Sequence, residues 1–314
     1  MTAQNKNQST FPGRCFFKKG ETMNDWMKNI PDEAFLSEIN IPGTHDSATR
    51  FCQYSYFSKC QDKNISEQLN MGVRFLDLRV EKIGDKLQLV HASSKCFKTA
   101  SHQGLLLLED VHSDCRLFLK NNPSETLILS IKRDHGDTCE NTFDTLFRHY
   151  LNEDFWYKEN RIPQLFEVRG KAVFLNRFSV DTSKDFYTDY NTGLNFSGWP
   201  DQGKYIGKTH LVSVMLRRDG KDSEPVFIQD WYKLSPKEKW KYAVLPTLQN
   251  PPCKYGVLLS FFSCGNLLHN PKKSAKYISK KFMKYDLTPL KKYGWLLFDF
   301  PTEKLCRKVI STNF

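Results

Sequence analysis

The sequence predicts an α/β fold, a distorted (β/α)8 barrel of TIM type in a single domain, and three observations carry that expectation. Short apolar runs alternate with amphipathic stretches of helical length, the order expected of a mainly parallel sheet. Most of these runs stop at a charged or polar side chain, and polar residues from several strand ends meet on one face of such a barrel. No Pro/Ser-rich linker divides the 314 residues, a length that one barrel of this class fills. With 39% hydrophobic residues, including 24 Phe and 13 Tyr, the chain can build a sizeable core.

Residues 1–30 read as a polar leader and lead-in, with the barrel expected over 31–314. The first apolar run (Leu36, Ile39, Ile41) suits a buried strand that Pro42-Gly43 breaks, and the turn then presents Thr44, His45, Asp46 and Ser47. A His beside an Asp at a strand end titrates near neutral pH and can be oriented by a carboxylate. The loop that follows is unusually aromatic, with Phe51, Tyr54, Tyr56 and Phe57. Residues 62–71 read as a helix with Ile65 and Leu69 inward, ended by Gly72. Residues 73–80 alternate cleanly, so that Val73, Phe75, Asp77 and Arg79 share one face. Pointed into a barrel, Asp77 and Arg79 are costly unless paired or used. A hairpin-like turn (IGDKL) leads to residues 87–91, where His91 closes an apolar run as His45 closes the first.

The pattern then repeats. A helix is expected over 105–119, ended by Asn121, Asn122 and Pro123. The run 127–131 leads into Lys132, 172–176 into Arg177, 226–229 into Asp230, Trp231 and Tyr232, 256–262 into Ser263, and 295–298 into Asp299. Helices are expected between them at 140–151, 236–248 and 274–285. This makes about eight β-type runs, the number a closed barrel of this class needs.

Charge and composition narrow the partners. A net charge of +11 favours an anionic partner, either nucleic acid or an acidic membrane surface. No helix-turn-helix, RNP-type or zinc-finger signature is visible, so no nucleic-acid partner is expected. No apolar run is long enough to span a membrane. The N-terminal MTAQNKNQSTFPGRC lacks the apolar segment of a secretory signal. Location is therefore left between a cytoplasmic protein with peripheral membrane association and one processed or exported by another route. Nine cysteines without a C-x-x-C pair argue against a zinc knuckle. Cys52 and Cys60 could bridge in an oxidising compartment, and scattered reduced thiols are equally consistent with the spacing. No glycine-rich dinucleotide or phosphate loop is present.

Taken together, GTHDS, VRFLDLRV, LVH, LKNNPSETLILSIK, SGWPD, VFIQDWYK and LLFDF resemble the phosphatidylinositol-specific phospholipase C family, in its small, metal-independent bacterial type. The motifs stand in family order over residues 36–301. The resemblance implies a distorted barrel that cleaves phosphatidylinositol in a membrane surface, with glycosylated anchors as a further candidate substrate. The inositol 2-hydroxyl would attack phosphorus, expelling diacylglycerol and leaving inositol 1,2-cyclic phosphate. In that scheme His45 is the general base held by Asp299, His91 the general acid oriented by Asp46, and Arg79 the cation on the non-bridging phosphate oxygen. Lys132, Arg177, Asp230 and Tyr232 match positions that grip the inositol ring, and Asp77 supports Arg79.

The residue types fit that chemistry without the name. Intramolecular attack at phosphorus needs one group to take a proton and another, across the phosphate, to give one. Two His with separate carboxylates supply both, and a buried guanidinium offers preorganised charge to the phosphate. In calcium-dependent eukaryotic relatives, acidic or amide side chains hold the ion near the phosphate. Here the corresponding strand carries Arg79, and Asp46 is committed to His91, so neither metal nor cofactor is expected. The loop aromatics Phe51, Tyr54, Tyr56 and Phe57 are candidates for membrane contact, with Trp199 and Trp231 as further rim. The helix at 274–285 sets Ala275, Ile278 and Phe282 against Lys276, Lys280 and Lys284, as an outer barrel helix does. A monomer is expected. Two other readings stand beside this one: a metal-dependent glycerophosphodiester phosphodiesterase-like barrel, and a catalytically inactive module that binds inositol lipid.

Overall fold

The computed structural model describes residues 22–180, 186–203, 211–218, 221–252, 256–265 and 270–314. Most of the polar leader, residues 1–21, lies outside the described residues, as do Cys15, Cys253, His210 and His269. In chain order the strands are β1 (Ile41–Thr44), β2 (Phe75–Ile83), β3 (Lys86–His91), β4 (Ser94–Lys95), β5 (Leu127–Arg133), β6 (Trp156–Tyr157), β7 (Ala172–Asn176), β8 (Leu194–Asn195), β9 (Val212–Arg218), β10 (Lys221–Gln229), β11 (Val257–Phe261) and β12 (Trp295–Phe298).

They form one curled sheet whose neighbours follow the chain. β1 pairs in parallel with β2 on one side and β12 on the other, so the first and last strands meet at a seam. From β2 the parallel sheet runs through β5 to β7, whose outer edge carries β6 and then β8. From β12 it runs through β11 to β10, and β9 pairs antiparallel with β10. Among the described residues β8 and β9 share no strand pairing, so the barrel is open there and distorted as expected. Every residue of β1, β7, β11 and β12 is buried, which is why these strands read as continuous apolar runs rather than alternating ones.

Helices cover the outside: α1 (Ser55–Ser58), α2 (Ile65–Asn70), α3 (Leu108–Asn121), α4 (Cys139–His149), α5 (Leu165–Val168), α6 (Pro236–Glu238), α7 (Leu245–Gln249), α8 (Pro271–Lys284) and α9 (Glu303–Ile310). Their starts follow from side-chain caps. Asn64, Thr138, Ser235, Asn270 and Thr302 each accept a bond from a first-turn backbone N–H. In α8, Ala275, Ile278 and Phe282 are buried and Lys276, Lys280 and Lys284 are exposed, as its periodicity predicts.

Several expectations change. Pro42 and Gly43 do not break β1; they lie inside it, paired with Leu296 and Leu297 of β12. The missing N–H of Pro42 is tolerated because β2 pairs with β1 only from Gly43 onward. A Cβ on Gly43 would lie 2.8 Å from the Cβ of Phe75, so this glycine serves strand-to-strand contact rather than a turn. The helix expected at 105–119 starts at Leu108, since Leu105 and Leu107 bridge to Phe97 and Gln88. The expected 236–248 helix is interrupted by a π-helical segment, Lys239–Val244. His91 ends a real strand, but β3 is an antiparallel excursion from β2 and not a strand of the barrel path. The seven described cysteines are free thiols, and Cys52 faces Cys96 in an antiparallel bridge.

The lead-in closes the barrel floor. Trp26 Nε1 donates to Gly72 O at 3.1 Å, and Met27 N donates to Glu125 Oε1 at 2.9 Å. The same Glu125 pairs with Arg74 at 2.8 Å, both side chains fully buried. Arg74 spends its remaining donors on the carbonyls of Leu69, Val73, Met23 and Asn24. This ion pair satisfies its hydrogen-bonding groups at the end opposite the charged strand termini.

Candidate active site

Strand register alone brings the charged ends together. Thr44 pairs with Phe298, so the next residues, His45 and Asp299, are neighbours across the seam. Arg79 pairs directly with Lys132, and Ile131 pairs with Asn176, which sets Lys132 beside Arg177. Asp230 follows β10 immediately, with its backbone N–H donating to Gln202 Oε1 at 2.7 Å. These ends surround a cavity of about 690 Å³ lined by His45, Arg79, His91, Lys132, Arg177, Asp230, Tyr232 and Asp299, among others.

The GTHDS turn is held by its small polar residues. Ser47 Oγ donates to Thr44 O at 3.0 Å, and Thr44 Oγ1 donates to Gln68 Oε1 at 2.7 Å. Gln68 Nε2 in turn donates to Ser47 O, and Asp77 N donates to Ser47 Oγ at 2.9 Å. Asp46 adopts φ +44°, a left-handed conformation that this network maintains. The strained turn aims His45 and Asp46 into the same space.

There His45 Nδ1 is 2.8 Å from Asp299 Oδ1, while His45 Nε2 lies 3.1 Å from Asp46 Oδ2 and 3.2 Å from Arg79 Nη2. Burial works against the imidazolium, but Asp46 and Asp299 outweigh it and raise the His45 pKa to about 9. Burial pushes the Asp299 carboxyl up, against the pull of His45. His91 Nδ1 sits 3.0 Å from Asp46 Oδ2 and 2.9 Å from Ser58 O, which leaves Nε2 for other work. The two imidazole centroids are 6.1 Å apart and nearly perpendicular.

Arg79 is the hub of the carboxylates. Its Nε is 2.7 Å from Asp46 Oδ1, its Nη2 3.3 Å from Asp77 Oδ2, and its Nη1 3.6 Å from Asp134 Oδ1. Despite burial, these charges hold the guanidinium far above its usual range. Asp77, fully buried, also meets Arg177 Nη1 at 3.3 Å; burial would raise its carboxyl, but Arg79 and Arg177 pull it down. Asp77 thus contacts both Arg79 and Arg177.

On the far side of the cavity, the Arg177 guanidinium stacks on the Trp199 ring at 3.8 Å, and Tyr232 donates its hydroxyl to Asp201 at 2.7 Å. Lys132 Nζ is 3.3 Å from Asp134 Oδ1. Asp134 went unmarked in the sequence, although it shares a strand face with Lys132 as Asp77 does with Arg79. It also accepts from Ala92 N at 2.6 Å, tying the loop after His91 to β5. Trp199 lies at the cavity as expected; Trp231 does not form rim, because it turns into the core and is buried.

The aromatic loop sits at the mouth. Tyr54, Tyr56 and Phe57 are 54%, 59% and 50% exposed, and Phe57 lines the cavity. Phe51 differs from them: it is half-buried under the Arg50 guanidinium. Asn270, the cap of α8, donates to Tyr56 O at 2.5 Å, placing the lysine-rich helix beside this rim.

Among the described residues, three groupings bring His, Cys or carboxylate atoms within 4.8 Å of one another: His45 with Cys60 and Asp299, Asp46 with Cys60 and His91, and His45 with Asp46 and Asp77. Both carboxylates of the all-oxygen-and-nitrogen group are already paired with Arg79.

Known proteins resemble this chain in sequence and in fold. Residues 39–178 match the family model for the phosphatidylinositol-specific phospholipase C X domain. The chain is 28% identical over 293 residues to the 1-phosphatidylinositol phosphodiesterase of Staphylococcus aureus (strain Newman), covering 88% of each chain. It is 26% identical over 314 residues to that of Listeria monocytogenes, covering 94% of this chain and 87% of the relative. A solved structure of a variant phosphatidylinositol-specific phospholipase C from S. aureus superposes with a TM-score of 0.74 at 25% identity, covering 94% of this chain and all of that one. The L. monocytogenes enzyme superposes at 0.65, with 22% identity over the same share of this chain. Strand order, the two-histidine cavity and these matches lead to one conclusion: over most of its length the chain is similar to the bacterial phosphatidylinositol-specific phospholipases C, and its residues 39–178 match their X domain.

Proposed function

We propose that this protein is a phosphatidylinositol diacylglycerol-lyase, carried by the barrel of residues 31–314 and acting as a peripheral monomer at a membrane surface. The observation that carries the reading is the pair of differently held histidines, 6.1 Å apart, in a cavity lined by charges of both signs. His45, with Nδ1 on Asp299, takes the proton of the inositol 2-hydroxyl at Nε2. Arg79 Nη2, 3.2 Å from that same nitrogen, stabilises charge on the phosphate oxygen as the P–O bond forms. His91, with Nδ1 on Asp46 and Ser58 O, protonates the departing glycerol oxygen from Nε2. The products are diacylglycerol and inositol 1,2-cyclic phosphate. Lys132, Arg177 and Asp230 bind the ring hydroxyls and Tyr232 stacks on the ring.

A guanidinium set among three carboxylates supports a reaction without a metal ion, since fixed positive charge already stands at the phosphate position. Tyr54, Tyr56, Phe57 and the neighbouring α8 lysines support docking on anionic lipid. Phe51, held under Arg50, contributes to the loop rather than to the outermost contact.

A leaving-group experiment tests the assignment of acid and base. His91→Ala should lose about 10³-fold or more in turnover of phosphatidylinositol. It should retain most of its activity on a thiophosphate analogue whose leaving thiolate needs no proton, whereas His45→Ala should lose both. Equal losses of His91→Ala on the two substrates would sink the acid assignment.

A further inference from the structure

Behind the ring-binding side of the cavity lies a lysine that neither the motifs nor the reaction uses. Lys239 is fully buried, and among the described residues its Nζ has no hydrogen-bond partner. Lysines are almost never fully buried unless paired. It opens the π-helical segment Lys239–Val244 between α6 and α7, and such turns are rare and concentrate at functional sites.

Three consecutive strand ends carry the groups whose charge acts on it. Asp230 after β10, Cys264 beyond β11 and Asp299 after β12 all line the cavity and are the titratable groups acting on Lys239, whereas Lys239 itself does not reach the cavity. The attraction between Lys239 and Asp230 is the strongest charge interaction each of them has. Asp230 has no ion-pair partner among the described residues, so its carboxylate faces the cavity free to accept hydroxyl protons.

We propose that Lys239 is a positioning residue for headgroup recognition: a buried ammonium under the cavity wall whose charge supports the Asp230 carboxylate that meets the ring hydroxyls. The inference rests on the lyase reading above and extends it to a residue that never touches substrate. Burial opposes the Asp230 carboxylate and pushes its pKa up, and Lys239 is the first charge that offsets this. Burial also brings Lys239 down to about 8, against Asp230, Cys264 and Asp299. Above that pH the ammonium is lost, and ring affinity should weaken with it.

The test compares wild type and Lys239→Met for turnover of phosphatidylinositol in mixed micelles, and for calorimetric binding of free myo-inositol, from pH 6 to pH 9. Wild type should show inositol affinity falling above about pH 8. Lys239→Met should raise KM and weaken inositol binding about tenfold, the worth of one pKa unit of charge stabilisation, with kcat within about threefold. Its affinity should no longer fall on the alkaline side. An active wild type whose inositol affinity is flat across this range overturns the inference even if the variant does not fold. So does a folded Lys239→Met with unchanged KM, or one in which kcat alone falls. A wild type that neither cleaves the lipid nor binds inositol overturns the lyase reading and this inference together.

Discussion

Asp46 touches three groups that the reaction needs separately: His45 Nε2, His91 Nδ1 and Arg79 Nε. Asp46→Asn should therefore disturb both histidines and the phosphate-facing cation at once. We expect kcat to fall by about 10³- to 10⁴-fold, the scale of losing a carboxylate that orients a catalytic imidazole, with KM changed much less. Steady-state kinetics on micellar substrate would read this. The His45–Asp299 pair sets the pH dependence. A base raised to about 9 is protonated in the free enzyme at neutral pH, so kcat/KM should climb with pH toward that value. Asp299→Asn removes one of the two raising charges, and the acid limb should move to lower pH. The same shift has a stability consequence. Because the folded pKa lies above the ordinary 6.5, the folded state binds the proton more tightly than the unfolded chain. That stabilisation is fully present below about pH 6.5 and is lost as pH rises through about 9. Denaturant melts across this window should show a shallower decline in Asp299→Asn; an identical slope would contradict the pairing.

At the level of elements, the strand ends were legible because a parallel barrel puts its polar termini on one face, and each apolar run stopped where the chain reached that face. His45, Lys132, Arg177, Asp230 and Asp299 could be picked from that punctuation alone, and Arg79 from the alternation of residues 73–80. What the sequence hid had local causes. The β9–β10 ribbon is interrupted by charged residues and lacks a long apolar run, so its full length was invisible. The π-helical segment leaves no mark in a periodicity read at 3.6 residues per turn. The carbonyl of Ser58, which shares His91 Nδ1 with Asp46, has no side-chain signature at all. Pro42-Gly43 misled because turn residues were read by type, while the tight approach of Phe75 was the reason for the glycine. The barrel floor offers its own prediction. Glu125→Ala strands the fully buried Arg74 and should cost about 3–5 kcal/mol in urea unfolding. Replacing both residues by apolar ones of similar volume should cost much less, and equal losses would mean that the pair acts through packing alone.

For the whole molecule, a charge of +11 and an aromatic mouth beside a lysine-rich helix suit a protein that meets its substrate at an anionic surface. No helix among the described residues is long and apolar enough to cross a membrane. Phe57→Ser should weaken binding to phosphatidylinositol vesicles and slow turnover there, while leaving turnover of a soluble short-chain analogue within about twofold; exposed interfacial aromatics act through the headgroup zone. Added salt should weaken vesicle binding in both proteins, since each lysine near the surface contributes about 1 kcal/mol that screening removes. Equal effects of Phe57→Ser on vesicles and soluble substrate would place Phe57 in the cavity's work instead of the membrane's. The central claim is the metal-free, two-histidine formation of a cyclic phosphate, and phosphorus NMR reads it directly. With phosphatidylinositol vesicles and excess EDTA, an inositol 1,2-cyclic phosphate signal should persist in chelator and be absent with His45→Ala. A signal abolished by EDTA, or one that survives in His45→Ala, would contradict it.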